Sequence, residues 1–369
     1  MSNIIEGYRR VYHSTGMFDH WNRDLGLKRV AIGALKALDL ATVPFSPNGT
    51  HLERLRLGLI GEGNLSPNNI VRKIFEIESE MYTPEQVSQA NEILSRIIIR
   101  AKNDLLETMT PQEKLTTVYR AIEKKGLEFE VQKDQLFIGC LLGGKLDCDA
   151  SSFVVLGVAQ EFNWPISLVA VPGHVFIRWH DSEVSFNIDI GRIHPDNYYF
   201  QEYDITKMSF LDQKGIIALT FSNRGVAKFR LGNYEEAILD FNEAITLNSR
   251  CAMAFYNRGT AKSEMDCFKE AILDFDEAIR LNPKNAESFN NRGTANAKLG
   301  NYEEALLDYN EAIRLAPEFS EAFQNRGSTQ YLLGRLEEAF VDFNEAIRLD
   351  PNNSIALHHL ELVKHNLGL

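Results

Sequence analysis

The apolar positions of this chain change their period twice. From Ser66 to Lys125 they recur at helical spacing, and three helix starts are marked by a Ser or Thr followed by Pro: Ser66-Pro67, Thr83-Pro84 and Thr110-Pro111. Such a pair supplies an N-cap oxygen and a first-turn residue that has no N–H to satisfy. The first helix is expected over NNIVRKIFEIESEMY, the second up to about Thr108 and the third up to Lys125-Gly126. After Gly126 the pattern shortens. LEFEV (127–131) alternates, Leu136 to Leu142 is an apolar run ending at Gly143-Gly144, and Asp147 to about Phe162 reads as an apolar helix stopped by Trp164-Pro165. Ser167 to Val171 predicts a buried strand. Beyond Pro172-Gly173, His174, Phe176 and Arg178 alternate with Val175, Ile177 and Trp179, and Glu183 to Ile188 returns as an antiparallel partner. The expected architecture is α+β, a sheet packed on a helix with a helical part ahead of it.

Two stretches are less informative. In residues 1–65, Leu27 to Leu40 (LKRVAIGALKALDL) predicts one helix, broken by Val43-Pro44 and Ser46-Pro47-Asn48-Gly49, and carries no functional reading. Residues 205–217 have no strong pattern and read as a junction.

Beyond the junction the sequence repeats. NRG recurs as Asn223-Arg224-Gly225, Asn257-Arg258-Gly259, Asn291-Arg292-Gly293 and Asn325-Arg326-Gly327, each 34 residues after the last. The supporting positions keep step: Phe221, Phe255, Phe289 and Phe323; Ala237, Ala271, Ala305 and Ala339; Phe241, Phe275, Tyr309 and Phe343; Ala244, Ala278, Ala312 and Ala346. Pro283, Pro317 and Pro351 close three repeats, with Ser249 in the first. This period and pattern resemble the tetratricopeptide repeat. The resemblance implies an all-α solenoid of four repeats over 218–353, with 354–369 as a closing helix. It also implies a concave surface, lined by the first helix of each repeat, that binds a protein or an extended peptide. Asn223, Asn257, Asn291 and Asn325 hold the sixth position of their repeats, which usually faces that groove. A carboxamide both donates to and accepts from a peptide backbone, and equally bonds within the array. The neighbouring arginines are expected to reach acidic residues of the next repeat. The lysines of a dicarboxylate clamp are absent.

Composition narrows the partners. The net charge of −12 argues against general attraction to nucleic acid or an anionic membrane. The repeats carry about −7 of it, which favours a basic or neutral partner. No apolar run reaches the roughly 20 residues of a membrane span. The start, MSNIIEGYRRVYHSTG, has no signal-peptide pattern, so a cytoplasmic site of synthesis is expected, with export by other signals left open. Four cysteines without a CxxC pair give neither a disulfide framework nor a zinc site, and no cofactor or metal is expected. Cys140, Cys251 and Cys267 are expected as buried thiols.

Cys148 is different. It opens the apolar helix, where the helix dipole lowers a thiol pKa; His174 starts a following strand, and Asp189 ends the next. A nucleophilic cysteine needs such a base and a group to orient it. This order, with PGHVFIRW and FNIDIG around the histidine and aspartate, is similar to the transglutaminase-like members of the papain-like superfamily, over roughly residues 110–191. The resemblance implies a transglutaminase-like domain at 66–210 and catalysis by Cys148, His174 and Asp189, with Gln135 as a weak oxyanion donor. The flanking Asp147 and Asp149 work against a low thiol pKa, though Asp147 is also a good N-cap. The leading expectation is a cysteine-dependent acyl-transfer enzyme (peptidase, amidase or deamidase type) whose substrate the repeats recruit. The rival is a non-catalytic interaction scaffold that retains the fold.

Overall fold

The computed structural model describes residues 69–129, 136–146, 148–171, 174–189, 192–195 and 209–369. Residues 1–65 with their predicted helix, Ser66-Pro67, Gln135 and Asp147 lie outside the described residues. The chain divides into two compact units, with the boundary at Ala227/Lys228.

In the front unit the helix starts follow the sequence closely. Helix α1 (Ile70–Glu78) is capped by Asn69, α2 (Pro84–Asp104) by Thr83 and α3 (Pro111–Lys124) by Thr110. Both threonines form full capping boxes, with Gln86 and Glu113 reaching back to the cap N–H. Two ends come earlier than expected. The chain leaves α1 through a short 3-10 turn at Ser79–Met81, and Leu105 turns extended, so α2 stops four residues short of Thr108. The alternating LEFEV segment contributes only β1 (Glu128–Phe129), parallel to β2 (Lys145–Leu146). Between them the apolar run forms α4 (Phe137–Gly143), closed by Gly144 in the left-handed region at φ 75°.

Helix α5 (Cys148–Glu161) is the centre of this unit. It is apolar nearly all round, and every described side chain from Ala150 to Ala159 is buried. It packs on a five-stranded antiparallel sheet of order β6-β5-β4-β3-β7: β3 (Ile166–Val171), β4 (His174–His180), β5 (Ser185–Asp189), β6 (Arg192–Pro195) and β7 (Ser209–Leu211). Val175, Ile177 and Trp179 of β4 and Phe186 and Ile188 of β5 share one core with Phe153, Val155 and Val158 of α5. The helix–strand–strand order and the antiparallel return are as expected. Strand β7 is not: it pairs with β3 (Leu168 opposite Leu211) inside the segment expected to be a plain junction. Three residues are too few to show a period.

Polar groups fix the helices around α5. Asn69 Nδ2 donates to Gly157 O (2.9 Å) and Glu161 Oε1 (3.0 Å), tying the start of α1 to the end of α5. The buried Glu78 carboxylate accepts from Phe137 N (3.0 Å) and Ile138 N (2.9 Å), a charge-assisted cap on α4. Burial, and then Glu78, hold the Tyr82 hydroxyl pKa well above its ordinary value. Cys140 is fully buried here, as expected. His180 is exposed, as expected, and hydrogen-bonds Ser167 Oγ at 2.8 Å.

The second unit is built of helix pairs: α7 (Tyr234–Leu247), α8 (Ala252–Glu264) with α9 (Phe268–Leu281), α10 (Ala286–Lys298) with α11 (Tyr302–Leu315), and α12 (Ser320–Leu332) with α13 (Leu336–Leu349), then α14 (Ser354–Leu367). Helix α6 (Gln213–Arg230) precedes them and lies mostly in the front unit, where Ile216 joins the core. The paired helices approach closely because glycine sits where they cross. A Cβ on Gly259 would meet the Phe275 ring at 2.8 Å, and one on Gly293 would meet Tyr309 at 2.9 Å. Two cysteines differ from expectation: Cys267 is exposed and Cys251 half-buried, because both sit at helix N-caps rather than on a packed face. Among the described residues no helix is long and apolar enough to cross a membrane.

The glycine contact yields a direct prediction. Gly293→Ala gains helix propensity but forces the Tyr309 ring aside, so a net loss of about 1–3 kcal/mol is expected in urea unfolding. Ala297→Gly on the same helix is the control for propensity alone, at about 1 kcal/mol.

Candidate functional site

The repeated NRG triplet places two side chains with different tasks. Each arginine lies over the phenylalanine three residues before it, at 5.2–5.5 Å from the ring centre. In the last three repeats its guanidinium then bridges two second helices. Arg258 holds Asp274 with two nitrogens (2.9 and 2.5 Å) and Asn242 of the preceding repeat with the third (2.6 Å). Arg292 takes Asp308 (2.6 Å) and Asp276 (2.5 Å); Arg326 takes Asp342 (2.8 and 2.7 Å) and Asn310 (2.6 Å). The expectation of an acidic partner in the next repeat is thus corrected. The main partner is an aspartate of the same repeat, and the neighbouring repeat supplies the third contact. Burial alone would lower the Arg292 pKa, but Asp308 and then Asp276 outweigh it and hold the guanidinium above its ordinary value.

Asp240, Asp274, Asp308 and Asp342 are all buried, and sequence reasoning passed over them. Their signal was present: an aspartate every 34 residues inside the apolar strings AILDF, ALLDY and AFVDF. Lysine adds a second cation in two repeats, Lys228 to Asp240 (2.9 Å) and Lys262 to Asp274 (2.7 Å). The first arginine has another use. Arg224 is buried in the front unit, where its Nη1 donates to Ile77 O and Glu80 Oε2, both at 2.6 Å.

The asparagines run along the first helices. Asn291 Nδ2 donates to Tyr256 OH (3.1 Å), and Asn325 Nδ2 to Asn290 Oδ1 (3.0 Å), each reaching back to the preceding repeat. Asn257 is 1% exposed, and neither its Oδ1 nor its Nδ2 has a hydrogen-bond partner. Asn223, Asn291 and Asn325 are half-buried.

In the front unit the backbone positions of the other three candidates converge. Trp164, just past the end of α5, lies 5.8 Å from the Trp179 ring near the end of β4. The start of β4, His174, is five residues or about 17 Å away, toward the N-terminal end of α5 where Cys148 sits. Ile188 of β5 pairs with Ile177, so Asp189 continues toward the same end. Cys148, His174 and Asp189 therefore lie at one end of the helix–sheet layer.

The tetratricopeptide-repeat family matches residues 218–251, 252–285, 286–319 and 320–353. Residues 218–353 are four tandem tetratricopeptide repeats. The match does not extend to the residues in front of them, and no curated protein matches the chain. Similar solved structures include the second tetratricopeptide-repeat domain of human RPAP3 in complex with the HSP70 peptide SGPTIEEVD (34% identity over 31% of this chain and 94% of that one, TM-score 0.30). The first such repeat domain of Spaghetti (RPAP3) bound to the HSP90 peptide SRMEEVD is 27% identical (33% and 97%, TM-score 0.32). The Arabidopsis OM64 domain is 28% identical (32% and 98%, TM-score 0.32).

The aspartates give the second prediction. Asp308→Ala strands the partly buried Arg292 and is expected to cost about 2–4 kcal/mol in urea unfolding. The further change Arg292→Met is expected to recover part of that loss, and a double-mutant cycle measures the coupling.

Proposed function

We propose that the chain is an interaction protein whose repeats take up an extended segment of a basic or neutral partner along the inner helices. The observation that carries this reading is the run of four tandem repeats with asparagine at the same inner position in each, Asn223, Asn257, Asn291 and Asn325. A row of carboxamides bonds to peptide N–H and C=O groups whatever the side chains, which suits a scaffold. The bonds of Asn291 and Asn325 to the preceding repeat hold those amides in place, and preorganised groups lose less entropy on binding. The charge of the repeats supports the choice of partner.

The test is display selection of random peptides on the full chain, wild type against Asn291→Ala/Asn325→Ala, with thermal unfolding as the folding control. Wild type is expected to enrich peptides of zero or positive charge, and the variant to bind them about tenfold more weakly. Equal binding by a folded variant, or enrichment of acidic peptides, contradicts the reading.

A second reading rests on the convergence of Cys148, His174 and Asp189 at one end of the α5–sheet layer. It makes the front unit, proposed as transglutaminase-like over 66–210, an acyl-transfer enzyme. Cys148 attacks an amide carbonyl, His174 carries the proton to the leaving amine, and Asp189 orients the imidazole. A limiting alkylating reagent across pH decides it, with exposed Cys267 as the internal reference. Selective labelling of Cys148 with an apparent pKa well below ~8.5 is expected. Slow labelling of Cys148, no faster than Cys267, leaves the scaffold reading alone.

A further inference from the structure

The closing helix α14 stands in the place of a fifth first helix, and its residues show how the stack ends. Counting in steps of 34, Glu361 occupies the position of Gly259, Gly293 and Gly327. At those glycines the second helix of the repeat approaches so closely that an added Cβ would lie 2.8–3.2 Å from an aromatic ring. A glutamate cannot be accommodated there, so α14 does not receive a second helix of its own. Its side chain instead bridges Lys364 at 2.8 Å and is 70% exposed.

The face that would meet a following first helix has changed too. Within the stack that face is polar and covered: Tyr256 and Asn290 are 5% and 3% exposed and accept from Asn291 and Asn325, with Thr294 alongside. On α14 the equivalent positions are His358 and Leu362, and Ile355 and His365 extend the row at helical spacing. Ile355 is 52% and Leu362 40% exposed. The opposite face, Ala356, Leu360 and Val363, is buried against the last repeat. A solenoid normally ends in a polar outer face, and this one ends in an aliphatic row.

We propose that this row is a self-association face on which α14 of a second copy packs. Three observations select a second copy. The spacing 355, 358, 362, 365 alternates three and four residues, so two such helices interdigitate with the same pattern on both sides. The loss of the Asn acceptors and the glycine removes the features by which another repeat would stack. The face also holds one Glu–Lys pair and so is neutral, whereas the second helices carry Glu235-Glu236, Glu303-Glu304 and Glu337-Glu338 on a chain of net charge −12. Like-charged copies meet most easily where the charge is absent. A single 14-residue helix, about 21 Å long, offers far less than the roughly 1,200 Å² of a tight interface. The pair is therefore weak and concentration-dependent.

Sedimentation of the full chain over about 5 μM to 1 mM tests this, with Ile355→Glu/Leu362→Glu as the variant and Leu307→Glu, on the outside of α11, as the control. Circular dichroism checks that each protein is folded, and both variant sites are exposed enough to accept the change. Wild type and Leu307→Glu are expected to dimerise with the same constant, and the α14 variant at least tenfold more weakly. A wild type that stays monomeric to 1 mM overturns the proposal. So does an equal loss in both variants, or association that a folded α14 variant retains in full.

Discussion

The repeat unit depends on one guanidinium doing two things in each turn of the stack. Arg258, Arg292 and Arg326 each fix the second helix of their own repeat through a buried aspartate and touch the second helix of the repeat before. The planar fork makes this possible: two nitrogens satisfy one carboxylate, and the third is free for a separate acceptor. A lysine could offer the charge without the geometry. Burying the aspartate costs solvation that the paired arginine offsets, so the ion pair contributes more to a defined helix arrangement than to net stability. The glycine beside it allows the approach, and the aromatic ring of the second helix fills the space. Asparagine, arginine and glycine in the triplet thus serve the inner row, the helix bridge and the close crossing.

That division explains what could be read from the sequence. The 34-residue period made the repeats, their aromatic and alanine positions and the closing helix legible, because each recurs at a fixed place on a helix. The buried aspartates recur equally well, yet a reading by polarity hides them, since a charged residue in an apolar string looks like a solvated interruption. In the front unit, Thr83-Pro84 and Thr110-Pro111 marked helix starts because a cap is a local interaction between residues three apart. Strand β7 and the Glu78 cap on α4 were not legible. Both join residues more than 40 positions apart, and no local pattern encodes such a pairing.

The front unit shows the same economy around α5. Its all-round burial lets Asn69 and the strands β3 to β5 meet one rigid helix, and that helix carries Cys148 at its first position. Arg224, the first arginine of the repeat series, is used on this side, gripping the end of α1 and Glu80. One motif residue therefore serves two kinds of packing along the chain, depending on what lies beside it.

The account's central claim is that the inner row of carboxamides takes up a peptide by its backbone. Calorimetric titration of the full chain with a selected peptide, and with the same peptide N-methylated at alternate residues, tests it most directly. Removing backbone N–H groups should weaken binding at least tenfold, whereas single alanine changes in the peptide should each cost less than about threefold. Unchanged affinity on N-methylation, with one side chain carrying most of the binding, would contradict it.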